Sequence, residues 1–237
     1  VPATAAGVYT LNAFQAAPLK VTKESIAAEG KLQVMLVNSG NANACTGAQG
    51  EADARTMRAE AARAFGVPEH YVGVTSTGVI GELLKMDKVT AGITALPERV
   101  SATEDGGEQF SQAILTTDLV KKTVCVRLTV SGRTVHIAGA AKGSGMIHPN
   151  MATMLGFITT DAAISSPALQ RLLNESTDMT FNMITVDGDT STNDMLVAMA
   201  SGLAENEELS ESHPDWAAFS SDFRYVGEVL AKAIARD

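Results

Sequence analysis

The sequence predicts an α/β protein, a layered α/β sandwich that contains mixed and antiparallel sheets. Short apolar runs bounded by turn residues interleave with longer segments of helix-forming residues along the 237 positions. Residues 122–130 and 133–138 alternate β-branched and polar side chains, and Ser131 and Gly132 between them predict a tight turn and an antiparallel hairpin. Because strands and helices do not alternate strictly, the pattern does not favour a doubly wound nucleotide-binding fold.

The other strands are predicted from short apolar runs. Residues 32–37 (LQVMLV) end in a turn-rich segment, and residues 71–75 (YVGVT) are followed by small polar residues. Both patterns are typical of buried strands that enter loops. Two later runs of similar length predict strands at residues 155–160 and 181–186.

Helices are predicted where helix-forming residues accumulate. Residues 48–65 are rich in Ala, Glu and Arg, and Gly66 and Pro68 end that helix. Residues 215–234 place aromatic and aliphatic side chains near helical spacing, which predicts an amphipathic helix. The remaining predicted helices cover residues 82–96, 104–115, 167–176 and 192–200.

Composition limits the classes of partner. The 18 Lys and Arg against 27 Asp and Glu give a net charge of −9, and such a surface repels nucleic-acid phosphates and anionic lipids. No apolar run approaches the roughly 18 residues of a membrane helix. Cys45 and Cys125 are too few for a disulfide framework, and no metal-ligand spacing is present. We therefore expect a cytoplasmic protein with no metal, no nucleic-acid partner and no membrane partner.

The segment 142–155 (KGSGMIHPNMATML) is the strongest candidate for chemistry. Its Gly and Pro residues allow uncommon backbone geometry just before a predicted strand, and Thr153 lies at that junction. A Thr hydroxyl can attack the preceding carbonyl group, and hydrolysis of the resulting ester leaves Thr153 with a free α-amine. An α-amine, with a pKa of about 7.7–8.0, can accept the proton of the neighbouring hydroxyl. The alternative interpretation is that Thr153 has no chemical role and only precedes the start of a strand.

The same segment resembles the self-cleavage motif of the ornithine acetyltransferase (glutamate N-acetyltransferase) family. Further segments resemble that family in the expected order along most of the chain. They are NSGNANACTG at 38–47, STGVIG at 76–81, LTTD at 115–118 and VDGDTSTND at 186–194.

The resemblance implies autoproteolysis between Ala152 and Thr153. Residues 1–152 would form an α chain with the oxyanion and substrate loops, and residues 153–237 the first part of a β chain that begins with the nucleophile. The family moves an acetyl group from N2-acetylornithine to glutamate through an acetyl-Thr intermediate, in arginine biosynthesis. Some members also use acetyl-CoA as a co-substrate, and none of these steps implies a bound cofactor. The family usually assembles two α and two β chains.

The resemblance also implies roles for individual residues. Thr77 and Gly78 correspond to the oxyanion hole, and Lys142 corresponds to a substrate-contacting lysine. Thr116 and Thr117 are both candidates for a substrate-binding threonine, alongside Thr153. Judged from the residues alone, residues 76–78 are typical of a plain turn, Lys142 of a solvated loop residue, and the two threonines of a solvated helix end.

Other polar residues of these motifs have structural interpretations. The asparagines of the first motif are expected to shape its loop, and the aspartates of the last motif to serve turns or helix caps rather than a cation. Cys45 is expected to be a small buried residue, and His148 is a candidate for assisting proton transfer. The asparagines are Asn38, Asn41 and Asn43, and the aspartates are Asp187, Asp189 and Asp194.

Two other functions stay open at this point. One is a self-processing amidase or aminopeptidase, in which water replaces glutamate as the acyl acceptor. The other is an inactive structural piece of an assembly, because family members begin earlier and continue beyond Asp237. The resemblance therefore implies a chain truncated at both ends, with a double sandwich and a substrate pocket that are incomplete at the C-terminus.

Overall fold

The computed structural model describes residues 1–146 and 154–237, and these form two sheets and six α-helices. The larger sheet contains β1 (Ala3–Tyr9), β2 (Lys31–Leu32), β5 (Lys122–Val130), β6 (Arg133–Lys142), β7 (Leu155–Thr160) and β8 (Met195–Ala200). The smaller sheet contains β3 (Val34–Asn41) and β4 (Val72–Val79). The helices are α1 (Ala17–Glu29), α2 (Gly47–Phe65), α3 (Met86–Ala95), α4 (Glu104–Ala113), α5 (Ser166–Asp178) and α6 (Trp216–Arg236).

The larger sheet is mixed, with the strand order β2-β1-β8-β7-β6-β5. Strands β7 and β8 are parallel, whereas every other neighbouring pair in this sheet is antiparallel. Strands β3 and β4 pair in parallel as a separate ribbon. The predicted fold class, with mixed and antiparallel sheets, is confirmed.

The sheets and helices stack in four layers. Helices α5 and α6 cover one face of the larger sheet, where Leu172 and Phe223 pack with Ile158 and Leu196. The other face packs against the β3–β4 ribbon, and Val197 belongs to this second core. Helices α2 and α3 cover the outer face of the ribbon. The central strands β7 and β8 are thereby largely buried on both faces, whereas β5 keeps one exposed face.

The hairpin prediction is confirmed. Val130 pairs with Arg133, and the two residues between them, Ser131 (φ 50°) and Gly132 (φ 73°), are both left-handed. Positive φ at both central residues is the geometry of a turn whose twist matches that of its strands.

Several elements differ from the sequence prediction. The predicted helix at 192–200 is wrong, because residues Met195–Ala200 form β8. This strand is buried on both faces, so its run of apolar residues lacks the alternation that marks a strand with one exposed face. The predicted strand at 181–186 is also wrong, because Phe181–Met183 is a 3-10 helix. Strand β1 and helix α1 were not predicted from the sequence. The N-cap of α1 is Ala16, which cannot form the side-chain hydrogen bond that usually marks the start of a helix in the sequence.

Two further findings concern the surface. In the part of the chain that the structure describes, no helix is long and apolar enough to cross a membrane. Cys45 is exposed rather than buried, so that expectation is wrong. It lies in the loop before α2 and has φ 57°.

Candidate active site

The site begins where the two parallel strands of the ribbon end. In the register of β3 and β4, Ser39 pairs with Thr77 and Gly40 with Gly78. Because parallel strands end at the same edge of a sheet, two motifs that are far apart in the sequence become neighbours there. Thr77 is buried, with 3% of its surface exposed, and Gly78 is exposed.

Gly78 is held in a conformation that only glycine adopts easily. Its φ is +134°, and a Cβ atom at this position would lie 2.2 Å from the carbonyl carbon of Gly40 and 2.5 Å from the nitrogen of Asn41. The two strand ends can approach each other this closely because the side chain is absent. Residues 76–78 lie within β4 and pair with β3, so the plain-turn alternative is wrong.

The asparagines of the first motif shape the loop after β3, as predicted. The side-chain amide of Asn38 donates to the carbonyl oxygen of Asn41 (2.9 Å), and the Oδ1 of Asn41 accepts from the backbone N–H of Asn43 (2.8 Å). Asn43 has φ 46°, and its side-chain amide donates to the carbonyl oxygen of Gly50 (2.8 Å). These bonds hold the end of β3 against the start of α2.

Lys142, the last residue of β6, is buried with only 3% of its surface exposed. Its Nζ donates to the Oγ1 of Thr116 at 2.9 Å and to the Oγ1 of Thr77 at 3.2 Å. The solvated-lysine alternative is therefore wrong. Burial lowers the pKa of Lys142, and the nearby ammonium of Lys122 lowers it further, whereas the carboxylates of Asp118 and Asp194 oppose that shift.

The two candidate threonines make different contacts. The hydroxyl of Thr116 bonds to Lys142, whereas the hydroxyl of Thr117 lies 3.0 Å from the Oγ of Ser144. Thr116 is thus the one that meets the buried ammonium, although both threonines are exposed to solvent, as the solvated alternative predicts.

Sequence analysis missed the carboxylate beneath these groups, Asp118, whose side chain is fully buried. Its Oδ1 accepts from Lys122 Nζ (2.9 Å) and from the backbone N–H of Gly143 (2.5 Å), and its Oδ2 accepts from the N–H of Thr116 (3.2 Å). Burial raises the pKa of Asp118, but these three bonds and the charge of Lys142 outweigh it and hold the pKa below its usual value. The LTTD segment was the signal that could have identified this residue.

Asp194 is also buried, and it anchors the start of β7. Its Oδ1 accepts from the backbone N–H of Met154 at 3.0 Å, and its Oδ2 has no hydrogen-bond partner among the described residues. Burial raises the pKa of Asp194 to about 8, against the opposing effects of the Met154 and Ser191 bonds and the charge of Lys142. The turn or helix-cap role expected for Asp194 is wrong, because a strand follows it and its partner lies 40 residues away.

Of the other two aspartates of the last motif, Asp187 serves a turn as predicted, and Asp189 takes part in that turn through its backbone N–H. Asp187 accepts from the backbone N–H of Met146, and its Oδ1 accepts from the N–H of Asp189 at 3.2 Å. Within residues 1–146 and 154–237, no group of three or more His, Cys, Asp or Glu side chains is arranged to hold a metal ion.

Asn193 is a second residue that sequence analysis missed. It is buried, and its side-chain amide donates to the carbonyl oxygens of Ala42 (2.6 Å) and Ser76 (2.8 Å). The residue that precedes Asp194 therefore ties the larger sheet to the ends of both ribbon strands.

These strand ends and loops line an open cavity of about 820 Å³. Five of the residues predicted for the site line it: Thr77, Gly78, Thr116, Thr117 and Lys142. The cavity combines a buried cation, several hydroxyl groups and the backbone of Gly78, which are donors that suit a carboxylate and a carbonyl group. Two carboxylates, Asp187 and Asp189, also line it and suit the amino group of an amino acid. Three other predicted residues, His148, Ala152 and Thr153, lie outside the described residues.

Comparison with known proteins identifies similar sequences over the whole chain. A model of the ArgJ family matches residues 1–237. The chain is 63% identical over 237 residues to the arginine biosynthesis bifunctional protein ArgJ of Halalkalibacterium halodurans, and 60% identical to that of Geobacillus stearothermophilus. All of this chain is covered in both cases, and it spans 57% of the length of each relative.

Solved structures are similar as well. The crystal structure of ArgJ from Bacillus halodurans has a TM-score of 0.61 and 62% identity, with 64% of this chain and 78% of that chain covered. Ornithine acetyltransferase from Mycobacterium tuberculosis, solved with ornithine, has a TM-score of 0.54 and 33% identity, with coverages of 63% and 77%. An Ochrobactrum anthropi aminopeptidase described as a variant of the Ntn-hydrolase fold has a TM-score of 0.55 at 12% identity, with coverages of 99% and 73%; it shares the fold alone.

Proposed function

The chain belongs to the ArgJ family, and we propose that it takes part in arginine biosynthesis by moving an acetyl group from N2-acetylornithine to glutamate. One observation carries this proposal: the buried ammonium of Lys142 lies between the hydroxyls of Thr77 and Thr116 on the wall of an 820 Å³ cavity. Both reactants are amino acids with an α-carboxylate, which a buried cation recognises well. The relatives named for arginine biosynthesis, and the one solved with ornithine, support the same conclusion.

Thr153 is the proposed nucleophile, after cleavage of the Ala152–Thr153 bond. Its hydroxyl oxygen attacks the acetyl carbonyl carbon while the hydroxyl proton passes to its own α-amine. The tetrahedral intermediate expels the α-nitrogen of ornithine, which takes that proton and leaves as an amine. The α-amine of glutamate then attacks the acetyl ester, and the threonine oxygen recovers a proton as N-acetylglutamate leaves.

Thr77 and Gly78 are the proposed donors to the oxyanion of each tetrahedral intermediate. Because Lys142 donates to the Oγ1 of Thr77, the hydroxyl proton of Thr77 stays available for an acceptor in the cavity. The glycine at position 78 lets the backbone approach a ligand closely. Loss of one such donor typically slows acyl transfer by about 10²–10³-fold.

The proposed cut would leave two pieces that share one sheet. Strands β1, β2, β5 and β6 lie before residue 152, and β7 and β8 lie after it. In the sheet, β8 pairs with β1 on one side and β7 pairs with β6 on the other. The pieces 1–152 and 153–237 would therefore stay joined by hydrogen bonds and two apolar cores, which supports the proposed α/β assembly. The transfer as written balances without a cofactor, and acetyl-CoA remains a candidate second donor.

Intact mass spectrometry tests the cut and the nucleophile. Under denaturing conditions we expect two masses, for residues up to Ala152 and for residues from Thr153, which elute as one species under native conditions. Thr153→Ala should give a single uncut chain, whereas the matched variant Thr117→Ala should still be cut. Uncut wild-type protein would contradict the proposal.

The acceptor is tested with N2-acetylornithine, with and without glutamate. We expect one added acetyl group on the piece that begins with Thr153, and its transfer to glutamate when glutamate is supplied. Release of acetate to water at the same rate with and without glutamate would instead identify an amidase. Absence of any acetylated piece would identify an inactive fragment. Acetyl-CoA in place of acetylornithine tests the second donor.

A further inference from the structure

Asp118 lies outside the roles assigned above, and its side chain is buried directly behind the cavity wall. We propose that Asp118 is a positioning residue, whose carboxylate holds the ammonium of Lys142 against the hydroxyls of Thr77 and Thr116. The inference deepens the proposed function and rests on it, because it concerns the same lysine and the same hydroxyl groups.

Asp118 forms hydrogen bonds with the two backbone segments that carry Lys142 and Thr116. It accepts from the N–H of Gly143, the residue after Lys142, and from the N–H of Thr116 itself. Its Oδ2 also lies 3.9 Å from Lys142 Nζ. One carboxylate therefore sets the position of both partners of the hydrogen bond between Lys142 and Thr116, which are 26 residues apart in the chain.

The charges around Lys142 give Asp118 a second effect. The charged groups that act on Lys142 are Asp118, Lys122 and Asp194. Lys122 is itself fully buried, between Asp118 (2.9 Å) and Asp237 (2.6 Å). Without Asp118, the like charge of Lys122 would act on Lys142 with only Asp194 opposing it. Asp118 therefore stabilises the charged form of Lys142 in a place where burial favours the neutral form.

The charged form matters for the two hydroxyls. An ammonium group has three N–H donors, and two of them are engaged with Thr77 and Thr116. A neutral amine can accept a proton from Thr77, which would turn that hydroxyl away from the cavity. Keeping Lys142 charged thus keeps the Thr77 proton directed to a ligand.

The test is the titration of Lys142 itself, followed by the ¹³Cε resonance of labelled lysine and assigned by its loss in Lys142→Met. We expect Asp118→Asn to move the midpoint to lower pH, because the favourable carboxylate is gone. Asp237→Asn is the matched control: it removes the other carboxylate on Lys122 and makes no contact with Lys142. We expect it to move the Lys142 midpoint by clearly less than Asp118→Asn does, because Asp237 acts on Lys142 only through Lys122.

Two results would overturn the inference: an unchanged midpoint in Asp118→Asn, or equal shifts in both variants. Should Asp118→Asn fail to fold, the unaltered protein is titrated with acid. The amides of Thr116 and Gly143 and the Lys142 resonance must then move together with the carboxyl carbon of Asp118, and separate midpoints would contradict the proposal. These readouts do not require enzymatic activity. A negative acetylation assay would therefore contradict the proposed function but not the effect of Asp118 on Lys142.

Discussion

Gly78→Ala offers a quantitative test of how the two strand ends meet. An added Cβ would lie 2.2 Å from the carbonyl carbon of Gly40 and 2.5 Å from the nitrogen of Asn41. Both atoms belong to the backbone of a paired strand, so neither can move aside as a flexible side chain would. Gly40→Ala is the matched control, because Gly40 also has a positive φ (+99°) but has nothing within 4 Å of its Cβ position.

The two substitutions separate strain from contact. Each places alanine at a positive φ, which costs about 1–3 kcal/mol. Only Gly78→Ala adds a steric overlap, which costs about 1–3 kcal/mol more by comparison with overpacked sites. We therefore expect Gly78→Ala to lower the free energy of unfolding by about 2–6 kcal/mol, and by more than Gly40→Ala.

Urea unfolding followed by far-ultraviolet circular dichroism measures this difference. Both variants are made in a Thr153→Ala background, so that each polypeptide stays in one piece. In a protein of this size, each kcal/mol corresponds to about 2–4 °C in Tm, so a thermal scan provides an independent check. Equal losses in the two variants would refute the reasoning, because the close approach of the strand ends would then contribute nothing.

Three further predictions concern the buried polar groups and the core. Burial raises the pKa of Asp194 to about 8, above the value of about 3.9 in an unfolded chain, so the free energy of unfolding of the wild type should fall as pH rises between these values. Asp194→Asn should remove this fall. The prediction is contradicted if urea unfolding from pH 5 to 8 gives the same pH dependence for both proteins. Asn193→Asp keeps the shape of the side chain but removes the two N–H donors to buried carbonyl oxygens. We therefore expect the free energy of unfolding, measured in urea, to fall by about 2–6 kcal/mol. A fall of less than about 1 kcal/mol would contradict the bridging role. Leu230→Ala should lower the free energy of unfolding by about 2–5 kcal/mol, because Leu230 is fully buried in the core beneath α6. Lys232→Ala, at an exposed position of the same helix, should lower it by less than about 0.5 kcal/mol. Similar unfolding midpoints for the two variants would contradict the packing of α6 on the sheet.

Local patterns in the sequence predicted much of the fold. The hairpin of β5 and β6 was predicted because its turn residues and its alternation are both local signals. Helices α2 and α6 were predicted from composition and helical spacing. The failure at β8 has a physical cause: a strand covered on both faces is apolar throughout, and such a run is not distinguished from a buried helix by periodicity.

The candidate site was predicted in part, by its motifs rather than by its contacts. Resemblance identified Thr77, Gly78, Thr116, Thr117 and Lys142, and all five line one cavity. Asp118 and Asn193 were missed because their importance depends on groups distant in the chain; Asn193 bonds to a carbonyl oxygen 151 residues away. A carboxylate in a loop motif has the same sequence pattern whether it is solvated or buried against two lysines, so only the fold distinguishes the two cases.

The interleaving of strands in the larger sheet has a consequence for how a cleaved molecule could be made. The strands β8 and β7 fill the middle of the sheet, between β1 on one side and β6 on the other. If the two halves were synthesised separately, β1 and β6 of the first half would have no partner strand between them. The parallel pair β7 and β8 of the second half would then have to insert between β1 and β6. Synthesis as one chain avoids this search, because β6 and β7 stay covalently linked until the proposed cut. We therefore expect that co-expression of the halves as independent polypeptides yields far less native protein than maturation of a single precursor.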